Sequence, residues 1–294
     1  MTLSIIIATK DRAAFVARAL DSLQAQWGAP EFEVVVVDNG SSDATPALLA
    51  ERAASAAYPL RVVRVAEPNR AAARNAGVAA ASGTLVVFVD DDVWLPQGFL
   101  AAHGAAHRQA FPAAVSGPII NVPSYAARPA PTWLNYSGAF FCTCNVSVPR
   151  SALEAVGGFD EAFDLYGWED TELGLRLRRH GVRRVFAWDA YLRHVKPPHS
   201  ETLEVVHAKT VERARMAARL LRKERTFRTK LATGAYGPNM LRSTVLAPAW
   251  SLAAYRAAAL SERLPRAVRA LARAQFLDGS YTSTLRRALR NTAA

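Results

Sequence analysis

Residues 84–92 read TLVVFVDDD, an apolar run that passes directly into three aspartates. A continuous apolar run, unlike an alternating one, is typical of a strand that helices bury on both faces. Three similar runs precede it, at residues 3–8, 32–37 and 60–65. Helical patterns lie between the runs, so the sequence predicts an α/β fold with a mostly parallel central sheet flanked by helices.

The pattern is less regular beyond the aspartates. Residues 116–131 are rich in Pro, Gly, Ser and Asn, which predicts a loop, and residues 140–148 predict a further strand. The remaining predictions are helices at residues 13–26, from Thr45 onward, and at residues 70–81, 151–156 and 170–181.

Polar side chains follow the ends of the predicted strands. They are Thr9, Asp38, Arg70, Asp90, Asp91 and Asp92. Ligands of open α/β sheets lie beyond the carboxyl ends of the strands. We therefore expect a binding site at this edge of the sheet.

The three aspartates indicate a cation site. Asp90 and Asp92 form a D-x-D pair, and hard carboxylate oxygens are suitable ligands for Mn²⁺ or Mg²⁺. A cation also relieves the mutual repulsion of adjacent carboxylates. Acidic clusters usually lie at solvated turns, so the triplet alone does not decide, but its position at a strand end favours the cation site. Neither a G-x-G-x-x-G motif nor a P-loop is present, which favours phosphate binding through the metal.

Charge divides the chain into two parts. The net charge is +11, and residues 201–294 hold 18 Lys and Arg against 6 Asp and Glu, whereas residues 1–200 hold 18 against 19. We predict a catalytic domain at residues 1–200 and a basic helical extension at residues 201–294. The only two cysteines, Cys142 and Cys144, are too close for common zinc spacings, so we interpret them as packed thiols.

Five blocks of sequence together resemble the family 2 inverting glycosyltransferases. They are IIIATKDR, VVVVDNGSSDAT, PNRAAARNAGVAAASGTLVVFVDDD, VGGFDEAF and GWEDTELGLRLRRHG, and the resemblance spans roughly residues 3–196. It implies the GT-A fold and transfer of a sugar from a nucleotide-diphosphate sugar.

The resemblance also implies roles for the residues at the strand ends. Thr9 and Asp38 would contact the nucleotide base, and Arg70 would lie near the base or the diphosphate. Asp90 would lie near the ribose, and Asp91 is a further expected contact with the nucleotide sugar. Asp92 would be the main metal ligand, and His194 would approach the metal or the diphosphate, with His199 as a competing assignment. Turn capping is the alternative for Thr9 and Asp38.

The same resemblance makes Asp170 the catalytic base. Trp168 and Glu169, directly ahead of it, are the expected acceptor contacts, and a flat aromatic face such as that of Trp168 packs against sugar rings. A base must be ionised, and the positive end of a helix dipole favours an ionised carboxylate in the first turn. The alternative is that Asp170 is only a helix N-terminal charge.

The basic extension contains an amphipathic pattern at residues 264–277. Arg266, Arg269 and Arg273 share one helical face, and Leu264, Val268 and Leu271 share the opposite face. Such a helix can lie on an anionic membrane or pack on protein, including a second copy in a homo-oligomer, and the pattern does not distinguish these.

The sequence therefore predicts a metal-dependent glycosyltransferase that acts on a glycan or lipid-linked acceptor in cell-surface polysaccharide or glycolipid synthesis. No apolar run reaches about 18 residues, which predicts a cytoplasmic protein. The basic helix leaves two alternatives, a peripheral position at the inner face of the membrane or packing on protein. A sugar nucleotidyltransferase is an alternative, but it would show a Gly-rich loop after the first strand. A nucleic-acid-binding protein is another, although the extension has no recognised binding motif.

Overall fold

The computed structural model describes residues 1–137, 141–198 and 201–291; His199 lies outside these ranges. The chain forms two compact units. The first comprises Met1–Asp164 with Glu169–Pro198, and the second comprises Leu165–Trp168 with His199–Ala294.

The first unit contains the sheet. Its strands are β1 (Leu3–Thr9), β2 (Phe32–Asp38), β3 (Leu60–Arg64), β4 (Leu85–Val89), β5 (Val93–Trp94), β6 (Ala113–Ser116), β7 (Ile119–Val122), β8 (Asn145–Pro149), β9 (Arg183–Phe186) and β10 (Leu192–Val195). Its helices are α1 (Ala13–Gln24), α2 (Thr45–Ser55), α3 (Arg70–Ala80), α4 (Phe99–Gln109), α5 (Arg150–Ala155) and α6 (Glu169–Arg179).

Seven strands form one sheet in the order β3-β2-β1-β4-β8-β6-β9. All pairings are parallel except the two made by β8, which runs antiparallel to β4 and β6. The predicted α/β class with a mostly parallel central sheet is confirmed. A small second sheet has the order β5-β10-β7.

Most of the predicted elements are confirmed. The predictions missed helix α4, and the other differences involve short strands. Strand β7 lies inside residues 116–131, which were predicted to be a loop, because its four residues are too few to stand out among turn residues. The strand predicted at residues 140–148 begins at Asn145 instead. Residues 138–140 lie outside the described residues.

Helix α3 packs very closely on the sheet at Gly77. A Cβ atom there would lie 2.6 Å from Ile6 Cγ2 and 3.1 Å from Val37 Cγ2. Contacts this short are not tolerated in a packed interior, so only glycine allows this approach. The close packing sets the position of Arg74, one turn earlier on the same helix.

A second close approach positions β10. A Cβ atom on Gly117 would lie 1.9 Å from the carbonyl oxygen of Ala190. Gly117 precedes β7, and Ala190 precedes β10, which pairs with β7 in parallel. The missing side chain thus allows these two strands, and His194 on β10, to take their positions.

The second unit is helical. It contains α7 (Leu203–Lys223), α8 (Phe227–Ala232), α9 (Gly237–Leu246), a 3₁₀ turn (Ala249–Ser251), α10 (Leu252–Leu260) and α11 (Arg266–Arg290). The predicted C-terminal helical extension is confirmed. Its helices break near residues 234–238 and at Pro248 and Pro265, as expected of residues that interrupt helices.

The second unit has a core of its own. The core contains Ala214, Ala217, Ala218, Leu221 and Leu285. Within the described residues, no helix has both the length and the apolar character that crossing a bilayer requires.

Candidate active site

The carboxyl ends of β1, β2 and β4 meet at one edge of the sheet. Thr9 is the register partner of Asp38, and Val89, the residue before Asp90, is the partner of Ile7. The structure therefore brings together the predicted residues at these three strand ends. Their contacts with a donor remain predictions.

Asp91 is buried and held by protein partners. Its Oδ2 atom accepts a hydrogen bond of 2.7 Å from Thr9 Oγ1, and its Oδ1 atom lies 3.3 Å from Arg12 Nε. Burial raises the pKa of Asp91 to about 7, although Arg12 and Thr9 oppose the shift. Thr9 therefore orients Asp91. These two residues, both predicted to contact the sugar donor, are hydrogen-bonded to each other.

Asp92 contacts two basic side chains. Its Oδ1 atom lies 3.0 Å from His194 Nε2, and its Oδ2 atom accepts a 2.7 Å hydrogen bond from Arg12 Nη2. Burial alone would raise the pKa of Asp92, but His194 and Arg12 outweigh burial and lower it. The carboxylate is therefore ionised, and the predicted partners Asp92 and His194 are neighbours.

Asp38 and Arg70 occupy the neighbouring loops. Asp38 is buried; its Oδ1 atom accepts a 2.9 Å hydrogen bond from the Ser41 amide, and its Oδ2 atom lies 3.9 Å from Arg64 Nε. Asp38 thus shapes the turn after β2, which was the alternative role considered for it. Arg70 is exposed at the first position of α3, a helix that the side chain of Asn69 caps.

Arg74 connects the D-x-D pair to the E-D pair. Its Nη1 atom donates a 2.8 Å hydrogen bond to Glu169 Oε1, and its Nη2 atom lies 3.9 Å from Asp90 Oδ1. Only 9% of Arg74 is exposed, so these charges interact with little screening by water. The two acidic motifs therefore share one side of the first unit.

Asp170 is half-buried at the second position of α6. Its Oδ1 atom accepts a 2.6 Å hydrogen bond from the Thr171 amide. Burial, and then the charge of Glu169, raise the pKa of Asp170 to about 6, while Arg74 lowers it in part. A carboxylate with this pKa is ionised at neutral pH and remains a stronger proton acceptor than an ordinary aspartate.

Trp168 belongs to the second unit. Its indole N–H donates a 2.9 Å hydrogen bond to the Arg213 carbonyl oxygen. Its φ angle is +78°, which is strained for a bulky side chain. Its predicted contact with the acceptor remains a prediction.

Comparison with known proteins identifies the family. A sequence model described as "Glycosyl transferase family 2" matches residues 4–154. The chain belongs to glycosyltransferase family 2. A second model, described as the N-terminal domain of galactosyltransferase, matches residues 126–210 of this family 2 chain.

Curated relatives include validoxylamine A glucosyltransferase from Streptomyces hygroscopicus subsp. limoneus, 31% identical over 250 residues. That alignment covers 69% of this chain and 53% of the glucosyltransferase. The chain therefore spans about half the length of this relative. O-antigen biosynthesis protein RfbC from Myxococcus xanthus is 30% identical over 226 residues, covering 65% of this chain and 17% of the relative.

Solved structures with the same fold include mannosyltransferase PcManGT from Pyrobaculum calidifontis in complex with GDP-Man and Mn²⁺. It superposes with a TM-score of 0.65 at 22% identity, covering 98% of this chain and 86% of the mannosyltransferase. TarS (residues 1–349) from S. aureus in complex with UDP gives a TM-score of 0.56 at 20% identity, with 99% and 92% covered. These similarities confirm the predicted GT-A fold of the family 2 chain.

Three side chains of the candidate active site offer ligand atoms that fit a divalent cation. Among the described residues, Asp90, Cys144 and His194 each offer one ligand atom, and these atoms all lie within 4.8 Å of one another. Tetrahedral metal-to-ligand bonds of about 2.0–2.3 Å put two ligands of one ion about 3.3–3.8 Å apart, so small side-chain movements would bring these atoms to coordination distance. The group includes Asp90 rather than Asp92, but Asp92 contacts His194 directly.

Sequence reasoning missed Arg12 and Arg74. Both lie inside the blocks that carry the family resemblance, Arg12 in IIIATKDR and Arg74 in PNRAAARNAG. The sequence signal for both was a basic residue inside a block that also contributes to the acidic edge of the sheet. It was also missed that Cys144, correctly predicted to be a packed thiol, lies next to Asp90 and His194.

Proposed function

We propose that the chain transfers a sugar from a nucleotide-diphosphate sugar to an acceptor hydroxyl, with inversion at the anomeric carbon. The observation that carries the proposal is the position of Arg74 between Asp90 and Glu169. It puts the proposed donor-binding carboxylates and the proposed base, Asp170, on the same side of the first unit.

Asp170 acts as the base. It accepts the proton of the acceptor hydroxyl while that oxygen attacks the anomeric carbon and the diphosphate leaves. One base and one displacement invert the anomeric centre, whereas a nucleophilic carboxylate would retain it. Glu169 supports acceptor binding, because its Oε2 atom is buried and makes no hydrogen bond among the described residues. An acceptor hydroxyl could donate to this oxygen.

The metal is Mn²⁺ or Mg²⁺ in this proposal, held by Asp92 and His194 with Asp90 beside them. When bound, a divalent cation supplies Lewis-acid stabilisation for the charge that develops on the leaving diphosphate. Thr9 keeps Asp91 in place, and Asp38 and Arg70 remain the proposed contacts with the nucleotide.

The names of similar proteins support the donor and acceptor classes. PcManGT binds GDP-Man and TarS binds UDP-GlcNAc, which supports a nucleotide-sugar donor here. RfbC acts in O-antigen biosynthesis and ExoO of Rhizobium meliloti in succinoglycan biosynthesis, which supports a glycan or lipid-linked glycan acceptor in cell-surface polysaccharide synthesis.

A thermal-shift screen tests the proposal. UDP, GDP and dTDP are each added without metal, with Mn²⁺ and with Mg²⁺, and we expect one nucleotide to raise the Tm only when a metal is present. A ligand at a hundredfold excess over its Kd stabilises the folded state by about 2.7 kcal/mol. The anomeric configuration of the product, read by NMR, then tests inversion. If no nucleotide raises the Tm with either Mn²⁺ or Mg²⁺, the proposal is wrong.

We also propose that the second unit binds the anionic surface of a membrane on the cytoplasmic side. Val268 and Leu271, predicted to form the apolar face of the basic helix, are 44% and 62% exposed, and Trp250 is 86% exposed. The buried side chains of α11 are instead Ala272, Phe276 and Leu285, among others. The excess of basic residues in this part of the chain complements anionic lipid.

The membrane proposal predicts the effect of the double variant Trp250→Ser and Leu271→Ser. We expect it to reduce flotation with anionic liposomes at least tenfold, because burial of each apolar side chain contributes about 1.5–3 kcal/mol. The matched control is Trp133→Ser with Leu134→Ser, since this pair is 82% and 98% exposed in the first unit. Equal loss in both variants, or a change in oligomeric state with unchanged flotation, would contradict the proposal.

A further inference from the structure

We propose that the sulfur of Cys144 is a further ligand of the divalent cation that Asp92 and His194 hold, on the side where Asp90 lies. The inference rests on the proposed function, in which a cation occupies this edge of the sheet. The sulfur ligand would give this chain a specific property. Its site would bind Zn²⁺ and Co²⁺ more tightly than a site made only of carboxylates and an imidazole.

The sheet topology places Cys144 beside Asp90. Cys144 immediately precedes β8, and the first residue of β8, Asn145, is the antiparallel partner of Val89 at the end of β4. Asp90 follows Val89, so the two side chains leave adjacent strands at the same level. Only 5% of Cys144 is exposed, so its thiol faces the interior beside Asp90.

His194 lies on β10, in the small second sheet. On β10 it is the antiparallel partner of Val93, and the amide of the next residue, Val195, donates a 2.7 Å hydrogen bond to the carbonyl oxygen of Asp92. A carboxylate, a thiol and an imidazole from three separate segments therefore lie close together. Their ligand atoms lie within 4.8 Å of one another, so a cation could bind all three after small side-chain movements.

The chemistry of the three ligands differs from a set of carboxylates. On binding, the S–H bond of Cys144 breaks, a sulfur–metal bond forms, and the proton passes to solvent. A thiolate favours Zn²⁺ and Co²⁺, while Mg²⁺ prefers oxygen ligands. A mixed site of this kind therefore still accepts Mn²⁺ through Asp90 and His194 but gains affinity for softer ions.

The two cysteines provide an internal control. Both lie in the described part of the chain, but only Cys144 belongs to the group of candidate ligands. Cys142 is half-buried two residues away. In Cys142→Ser, Cys144 is the only thiol left, so a thiolate signal can arise from no other residue.

The test is titration of the full chain with Co²⁺, followed by near-ultraviolet absorption. We expect a sulfur-to-cobalt charge-transfer band in the wild type and in Cys142→Ser, and its loss in Cys144→Ser and Cys144→Ala. Competition between Zn²⁺ and Mn²⁺ should show that the affinity of Cys144→Ser for Zn²⁺ is at least tenfold lower than that of the wild type. The affinity for Mn²⁺ should decrease less. Circular dichroism confirms that each variant is folded.

The outcomes separate this inference from the proposed function. No charge-transfer band in Cys142→Ser, or no Co²⁺ binding at all, overturns the inference even if the Cys144 variants fail to fold. If nucleotide diphosphates still bind with Mn²⁺ in that case, the proposed function stands and only the sulfur ligand is wrong. A band without nucleotide binding under any metal would support the site and contradict sugar transfer.

Discussion

Asp170→Asn is expected to lower kcat by about three orders of magnitude and to leave nucleotide-diphosphate binding little changed, because the amide has the shape of the carboxylate but cannot accept the acceptor proton. Arg74 still has Glu169 as its partner in this variant, so the ion pair that organises α6 is kept. The measurements are steady-state kinetics with a saturating donor and a thermal shift with the nucleotide.

The control for this prediction is Asp164→Asn, which removes a carboxylate from an exposed position a few residues earlier. It should keep wild-type activity. Retention of activity by Asp170→Asn would refute the assigned base, and loss of nucleotide binding in the same variant would indicate a structural role instead.

The pH profile gives an independent check on the base. The pKa of Asp170 is about 6, so kcat/KM of the wild type should fall as the pH drops below about 6 and the carboxylate becomes protonated. Glu169→Gln removes the like charge beside Asp170 and keeps the positive charge of Arg74, which lowers the pKa of Asp170. The pKa of Asp170 should then decrease, and the acid limb should move to lower pH. A limb that does not move would mean that another group controls it.

Asp92→Ala is expected to abolish metal-dependent nucleotide binding. Asp92 contacts both His194 and Arg12, so the substitution removes a proposed ligand and also frees two basic side chains that it orients. We expect the Mn²⁺-dependent thermal shift with nucleotide to disappear.

The matched control for this variant is Asp189→Ala, at an exposed position of the first unit. It should show the full Mn²⁺-dependent shift. An Asp92→Ala protein that still binds nucleotide more tightly with Mn²⁺ than without it would assign the metal to other ligands, and Asp90 with His194 would be the first pair to test by substitution.

The parallel half of the sheet could be predicted because its signal is local. Strands β1, β2 and β4 are mostly apolar and buried over most of their length. β1 and β2 end in the polar residues Thr9 and Asp38, and Asp90 directly follows β4. Strands β5, β7 and β10 contain two to four residues each, so their sequences carry almost no periodicity. Their positions depend on pairing partners that are distant in the chain.

The same distinction explains which site residues were found. Asp90, Asp92 and Asp170 lie in recognisable local motifs. Arg12 pairs with Asp92 across 80 residues, and Arg74 pairs with Glu169 across 95 residues. A basic side chain on a helix or loop has many possible partners at such separations, and only the folded chain selects one.

The close approach at Gly117 has a consequence for how loss of activity should be interpreted. Even a methyl group at residue 117 would displace the backbone at residue 190, two residues before β10 begins. The imidazole on that strand would then move away from the acidic residues, and the ion would bind poorly although every one of its ligands is intact. A random-mutagenesis screen for inactive protein should therefore recover position 117, and the defect would be traced to a shifted backbone instead of a missing ligand.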